Sequence, residues 1–383
     1  MKTSKITTIL MLFLMIACAA ISPNNAFSQT SNDTELYPVR VNGKEGYIDA
    51  TGRMVIQPQF DAAYYFSEGL AKVENGDKWG FIDKTGRIVI NPQFYNVGDF
   101  SEGIAWIIVY MRFGYIDKSG RIVINPQLDG ADAFYEGLAC VTIGDFKNGM
   151  RGFIDKTGKF VVNPQYTLAY DFSEGLAVVW IGNRDDYYSI KECFIDKNGN
   201  DFFNFQFNNA SSFSEGLAFV SYGNQTGYID KTGRLVIDVT PIERQRMCFH
   251  GSFKEGMATI RSYEVKEGKL NNVKAGFIDR TGRLAINLQF DKVEDFSEGL
   301  ACVRVGGKYG TGRYGFIDKT GTYVINPQYD YAESFRGGIA AVVINNQFQY
   351  VDKKGSIIWV SSEFPHYLNR SVRSEEAHDM DRY

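Results

Sequence analysis

Nine times along this chain a Gly-aromatic-Ile-Asp core, or a close variant, returns with its aspartate intact, at Asp49, Asp83, Asp117, Asp155, Asp196, Asp230, Asp279, Asp318 and Asp352. Between the cores lies a second mark, Phe-Ser-Glu-Gly or a near copy, beginning at Phe66, Phe100, Phe134, Phe172, Phe213, Phe253, Phe296 and Phe335. A fixed period in this range is the signature of a repeat architecture. The 383 residues therefore form one array, not the two or three separate domains that length alone would suggest.

Spacing shows where each unit is rigid. From the first position of a core to the following Phe the distance is 20 residues in seven of eight cases, with 26 between Gly227 and Phe253. From that Phe to the next core it varies from 14 to 23. Length changes are thus confined almost entirely to one place, just before Gly-Phe-Ile-Asp. That place must be an exposed connection, because packed elements do not tolerate insertion.

A unit parses into three short strands. Strand A is 70–74, closed by the polar turn Asn75-Gly76-Asp77. Strand B runs from Lys78 to Asp83 and is rich in aromatic and β-branched residues. Asp83-Lys84-Thr85-Gly86 turns the chain, the Asp carboxylate accepting backbone N–H groups and the Gly supplying positive φ. Strand C, 87–90, stops at Asn91-Pro92, where a residue without a ladder donor fits a strand terminus. Strands B and C are apolar on both faces, so the units must stack face to face; a lone three-stranded sheet is marginal.

The expected fold is all-β: about nine three-stranded antiparallel units of ~34–49 residues in an open superhelical, solenoid-like stack. A closed β-propeller is the alternative. The open form is preferred because nine units exceed the usual four to eight blades and no strand is visibly borrowed to close a ring. The sixth unit loses its Asn-Pro-Gln-Phe and gains six residues, and is expected to kink the array. Three segments result: a signal peptide at 1–28, the array at 29–360, and a charged, aperiodic tail at 361–383 expected to be disordered.

The N-terminus places Lys2 and Lys5 before an apolar run from Ile6 to Ile21 and ends in small residues around Ala26 and Ser28. This is the pattern of a secretory signal, and the run is short for a spanning helix. Export to the periplasm, cell surface or medium is expected, with lipid anchoring through Cys18 as the lower-ranked alternative. No membrane span is expected in the mature chain. The net charge of −4 leaves no basic footprint for nucleic acid. Cys140, Cys193, Cys248 and Cys302 show no regular staple; core packing is the simpler reading, and a Cys140–Cys193 bridge stays open.

The stretch Lys78-Trp79-Gly80-Phe81-Ile82-Asp83-Lys84-Thr85-Gly86, followed by Phe100-Ser101-Glu102-Gly103, resembles the WG repeat family of bacterial proteins. The resemblance covers Leu36 to about Val360. Phe113, Tyr314 and Phe348 stand where the family has Trp, and Cys193 and Gln349 replace its glycine. The resemblance implies β-rich interaction modules and supplies no catalytic residues.

Chemistry-bearing residues are scarce. The three histidines build no triad and no metal spacing, and the repeated glutamates occupy equivalent turns, whereas catalysis needs an asymmetric pair. The nine aspartates are too far apart for a calcium ladder and are explained as turn residues. No enzyme activity, cofactor or metal is expected. The copies differ most in the insertions 144–151, 182–192, 262–275 and 306–314, all at the A–B connection. Their Tyr187, Tyr188, Tyr263, Tyr309 and Arg313 are the candidate binding residues, of types enriched at hot spots. The partner expected is a protein or peptide at the cell envelope; a glycan stacked on the tyrosines is the alternative. The sequence sets no oligomeric state.

Overall fold

The computed structural model describes residues 35–145, 148–182, 189–240, 247–266, 269–307 and 312–368. Within them the chain forms nine antiparallel sheets in sequence order. The second is representative: Ala62–Ala63, Leu70–Glu74, Trp79–Asp83 and Ile88–Phe94 pair in that order. Seven sheets are four-stranded, because the segment leading into each Phe-Ser-Glu-Gly mark adds a strand, usually of two residues, that the three-strand parse took for a connection. The first and fifth sheets have three strands.

Closure is decided by the cores. Nine hydrophobic clusters accompany nine sheets, where an open stack of nine has only eight interfaces. Eight join consecutive sheets, as Phe81, Ile90 and Phe94 of the second meet Val97, Phe100 and Ile107 of the third. The ninth joins the ends: Tyr37, Val39 and Ile48 of the first sheet pack with Ile339, Ala341, Val343, Phe348 and Tyr350 of the last. The expected open superhelix is therefore corrected to a closed nine-bladed propeller. Sheets apolar on both faces leave a costly bare face at each end of an open stack, and closure buries both.

Strand C, present in every blade but the fifth, is the rim. Val55, Val89, Val161 and Val324 are exposed along it, while the strand at the opposite edge, two residues long in most blades and absent from the first, is turned toward the axis. No kink is needed at the sixth unit: Leu235–Asp238 and Met247–Lys254 belong to successive blades of the ring, and residues 241–246 lie outside the described residues.

The glycine of the Gly-aromatic-Ile-Asp core has a steric cause. A Cβ on Gly80 would stand 2.4 Å from the Ile90 carbonyl oxygen and 2.6 Å from Pro92 N. Gly46, Gly114, Gly152 and Gly315 meet the same obstruction from their own strand C. There the Asn-Pro segment bulges over strand B, with register shifts between Trp79 and Phe81. Cys193 and Gln349 escape the rule because strand C is absent from the fifth blade and runs unbulged past Gln349, which pairs directly with Val360.

The last described segment is ordered. Ser361–Leu368, assigned to the tail by sequence, folds over the first blade: Glu363 accepts N–H groups of Asn42 and Gly43, and Leu368 is buried. The hydroxyls of Tyr65, Tyr350 and Tyr367 cluster beside it. Residues 369–383 of the tail, and the expected signal segment, lie outside the described residues.

Candidate functional site

Antiparallel alternation sorts the turns onto two faces. The Phe-Ser-Glu-Gly and Asp-x-Thr-Gly turns emerge at one end of every sheet; the A–B hairpins and the connections between blades emerge at the other.

The first face is a fixed framework. Asp83 Oδ1 accepts the N–H of Thr85 at 2.9 Å and of Arg87 at 3.1 Å, and Asp49, Asp117, Asp155, Asp230, Asp279 and Asp318 repeat both contacts with their own turns. Asp196 and Asp352 do the same with Asn198, Asn200, Lys354 and Ser356. Partial burial pushes the Asp83 carboxyl up, but the Thr85 and Arg87 donors outweigh it and hold it below the ordinary range.

The glutamates do more than turn the chain. Glu68, Glu102, Glu136, Glu174, Glu215, Glu255 and Glu298 all have φ between 50° and 55°, and the following glycines are also positive, giving a two-residue hairpin of the primed type. Each carboxylate then reaches the next blade. Glu68 accepts the N–H of Gly103 at 2.9 Å and pairs with Lys118 at 3.1 Å. Gly137 and Lys156 repeat this on Glu102, Gly216 and Lys231 on Glu174, and Gly338 and Lys353 on Glu298. At the seam the pattern stops on both sides at once, with Gly337 in the glutamate position and Ala50 in the lysine position. A Cβ on Gly337 would lie 2.3 Å from the Tyr37 hydroxyl, which donates to the Gly337 carbonyl at 2.7 Å, and Arg336 pairs instead with Glu35. This paired loss of Glu and Lys is the signal in the sequence from which the ladder, and the seam, could have been found.

The second face carries the length differences. Tyr187, Tyr188 and Tyr309 lie outside the described residues; Tyr263 falls in the strand Met257–Lys266. Arg313 is exposed and engaged: it pairs with Asp330, which also accepts the N–H of Asn345 from the next hairpin at 2.7 Å. The same clamp recurs where Asp61 holds Lys44 and the N–H of Gly76, where Asp129 holds Arg112 and Gly144, and where Asp291 holds Lys274 and Gly307. Arg313 thus ties two hairpins together. Where described, all four insertions join strands A and B at this one face of the ring, rather than along the edge of a stack.

The axis-facing segments carry a second feature that the repeat reading passed over. Asp99, Asp132 and Asp171 come from three consecutive blades, with Lys72 paired to Asp99 at 3.2 Å and Arg151 to Asp132 at 3.3 Å. Burial and the neighbouring Asp132 carboxylate raise Asp171 to about 6 against the pull of Arg151. Glu333, three blades from Asp99 around the seam, is raised to about 7 by burial. Sequence could not single these residues out, because they sit at a variable position between the two repeat marks.

Among the described residues no group of His, Cys, Asp and Glu is placed to hold a metal ion, and no helix is long and apolar enough to cross a membrane. Cys140 and Cys193 are buried in one core cluster as free thiols, and burial pushes each up to about 12.

The family model described as "WG containing repeat" matches residues 46–79, 79–109, 113–150, 152–184, 194–225, 276–309 and 314–348. Comparison with curated proteins finds no match. Among solved structures, a crystal structure of a eukaryotic initiation factor is similar over 87% of this chain and 96% of that one, with a TM-score of 0.60 at 12% identity. A puromycin hydrolase (12% identity, 82% of this chain and 56% of that chain, TM-score 0.38) and a tricorn protease (11%, 85% and 44%, TM-score 0.36) are more distant. At such identities the likeness to the initiation factor bears on the fold alone.

Proposed function

Because the chain belongs to the WG containing repeat family, we propose that it is a non-enzymatic scaffold, exported to the cell envelope, that binds a protein or peptide on its hairpin face. One observation carries this reading. The two faces of the ring are built on different terms: one repeats the same Asp turn and Glu–Lys rung from blade to blade, while the other collects every hairpin insertion. A face required only for stability would repeat on both sides, whereas a face that contacts something else is free to diverge. Export rests on the basic, apolar and small-residue succession at 1–28.

The test is a pair of full-length variants with the hairpins 182–190 and 306–312 shortened to the two-residue turn of the first blade. Both should keep wild-type unfolding midpoints, since the flanking pairs Ile181–Lys191 and Val305–Arg313 are retained, and should lose a partner that co-purifies with wild-type protein from the envelope fraction. A partner retained at full occupancy by both variants, or captured equally by a glycan matrix, would sink the reading. Fractionation of cells expressing the chain with and without residues 1–28 tests export separately.

A further inference from the structure

One hairpin breaks the rules of its own face. In the third blade Val109 and Arg112 pair across a two-residue turn, Tyr110-Met111, with φ of 47° and 64°. Two consecutive positive φ values are the signature of a primed turn, which favours Asn and Gly because a Cβ crowds the following carbonyl. The first and last blades comply, with Asn42-Gly43 and Asn345-Asn346 at the same place. Here a tyrosine and a methionine take the strained conformation, and both stand in solvent, Tyr110 at 96% and Met111 at 75% exposure.

A second departure lies directly beneath. The residue fifteen before the hairpin is the clamp: Asp61 accepts from Gly76, Asp129 from Gly144, Asn208 from Gly223 and Asp330 from Asn345. For Tyr110 that position is Tyr95, which cannot clamp and is itself 62% exposed, while its backbone N–H bonds Ile108 at the foot of the hairpin. The third blade has therefore given up both the favoured turn residues and the clamp in one spot. It holds three exposed apolar side chains there instead. Among the described residues neither tyrosine ring packs against another aromatic, and none of the three side chains joins a core cluster. Strain and exposed apolar surface kept together mark a site where the compensation comes from outside the chain.

We propose that Tyr95, Tyr110 and Met111 form a projecting anchor that inserts into an apolar pocket on a folded protein partner. This rests on the scaffold reading above and names the element that does the anchoring and the shape it requires. A ring and a thioether at the tip of a tight hairpin are convex, so the complementary surface is concave; Tyr and Met are types enriched in interface centres. The surroundings are polar: exposed Asn96, paired with Ile108, and the Arg112–Asp129 ion pair flank the knob, as a rim borders a hot spot. A lipid surface fits less well, because the chain carries a net charge of −4 and Arg112 is already paired.

The experiment places the photocrosslinker p-benzoylphenylalanine at position 110 of the full-length protein in its own cells, with the same group at Asn345 as the control hairpin. The protein crosslinked from 110 and not from 345 is identified, purified and titrated against wild type, against the double variant Tyr110→Asn with Met111→Gly, and against Tyr95→Asp. The proposal expects at least tenfold weaker binding for both variants, and a melting temperature above wild type for the double variant, since it adopts the turn used in the first blade. Binding unchanged in both variants, absence of any 110-specific protein, or adsorption of wild type but not the double variant to phosphatidylglycerol vesicles would overturn it. If the shortened hairpins 182–190 and 306–312 abolish partner binding while these variants do not, the scaffold reading stands and the anchor falls.

Discussion

The rung formed by Glu174 allows two opposing effects to be measured against each other. Its carboxylate accepts the N–H of Gly216 at 3.1 Å and pairs with Lys231 at 3.1 Å, with side-chain exposures of 29% and 46%. A hydrogen bond from a backbone N–H to a charged acceptor contributes roughly 1.5–3 kcal/mol, at the lower end when partly solvated, and a semi-exposed ion pair adds about 0.2–1 kcal/mol. Against this, Glu174 holds φ at 55°, which costs a non-glycine residue about 1–2 kcal/mol. Glu174→Ala removes the rung and keeps the strain, so it should lose about 2 kcal/mol. Glu174→Gly removes both and should fall within about 1 kcal/mol of wild type. The assay is urea unfolding at pH 7 and again near pH 3.5. Partial burial raises the Glu174 carboxyl, but the Gly216 and Lys231 donors hold it below the usual carboxylate range. Its contribution is therefore present above the unfolded value and is lost as the pH falls through the folded one, so the Ala variant's deficit should shrink at the lower pH. Equal midpoints for Ala and Gly at pH 7 would refute the strain term; an Ala variant as stable as wild type would refute the rung.

Other consequences follow from the same geometry. Burial raises Glu45 and Glu192 to about 7, against the donors Ala63, His366 and Arg40 on the first and Ala210 on the second, so their folded values exceed the unfolded ones. Stability linked to them is complete below the unfolded value and lost as pH rises through about 7; Glu192→Gln should flatten the fall in melting temperature between pH 5 and 8. Gly114→Ala puts a Cβ 2.6 Å from the Ile124 carbonyl and should cost more than about 2 kcal/mol in chemical unfolding, whereas Gln349→Gly, opposite an unbulged strand, should cost about 1 kcal/mol or less. Truncation after Val360 removes the Glu363 bonds to Asn42 and Gly43 and the buried Leu368, and should lower the unfolding free energy by about 3 kcal/mol while leaving far-ultraviolet circular dichroism nearly unchanged. Loss of the folded signal altogether would show that the segment is needed to close the ring rather than to fasten it.

What the sequence determined by itself was the unit. Strands A, B and C, the Asp83-type turn and the near-confinement of insertions to one hairpin are all local, written in alternation, in Gly and Pro positions and in constant spacing; the structure places strands A and B within a residue, while strand C, expected to stop at Asn91-Pro92, runs on through the bulge to Phe94. Even the glycine of the core was legible as a constraint, though its cause, the bulge of Asn91-Pro92 over Gly80, required both strands to be seen together. Tertiary structure alone decided closure, because whether nine units form a ring depends on a small rotation per interface accumulated over the whole array, and no single repeat records it. It also decided the use of the glutamates, whose partners lie one blade on for Gly103 and 50 residues on for Lys118. The seam shows why: Gly337 and Ala50 look like unrelated lapses 287 residues apart until the ring sets them on adjacent blades, where Tyr37 occupies the place a glutamate would need.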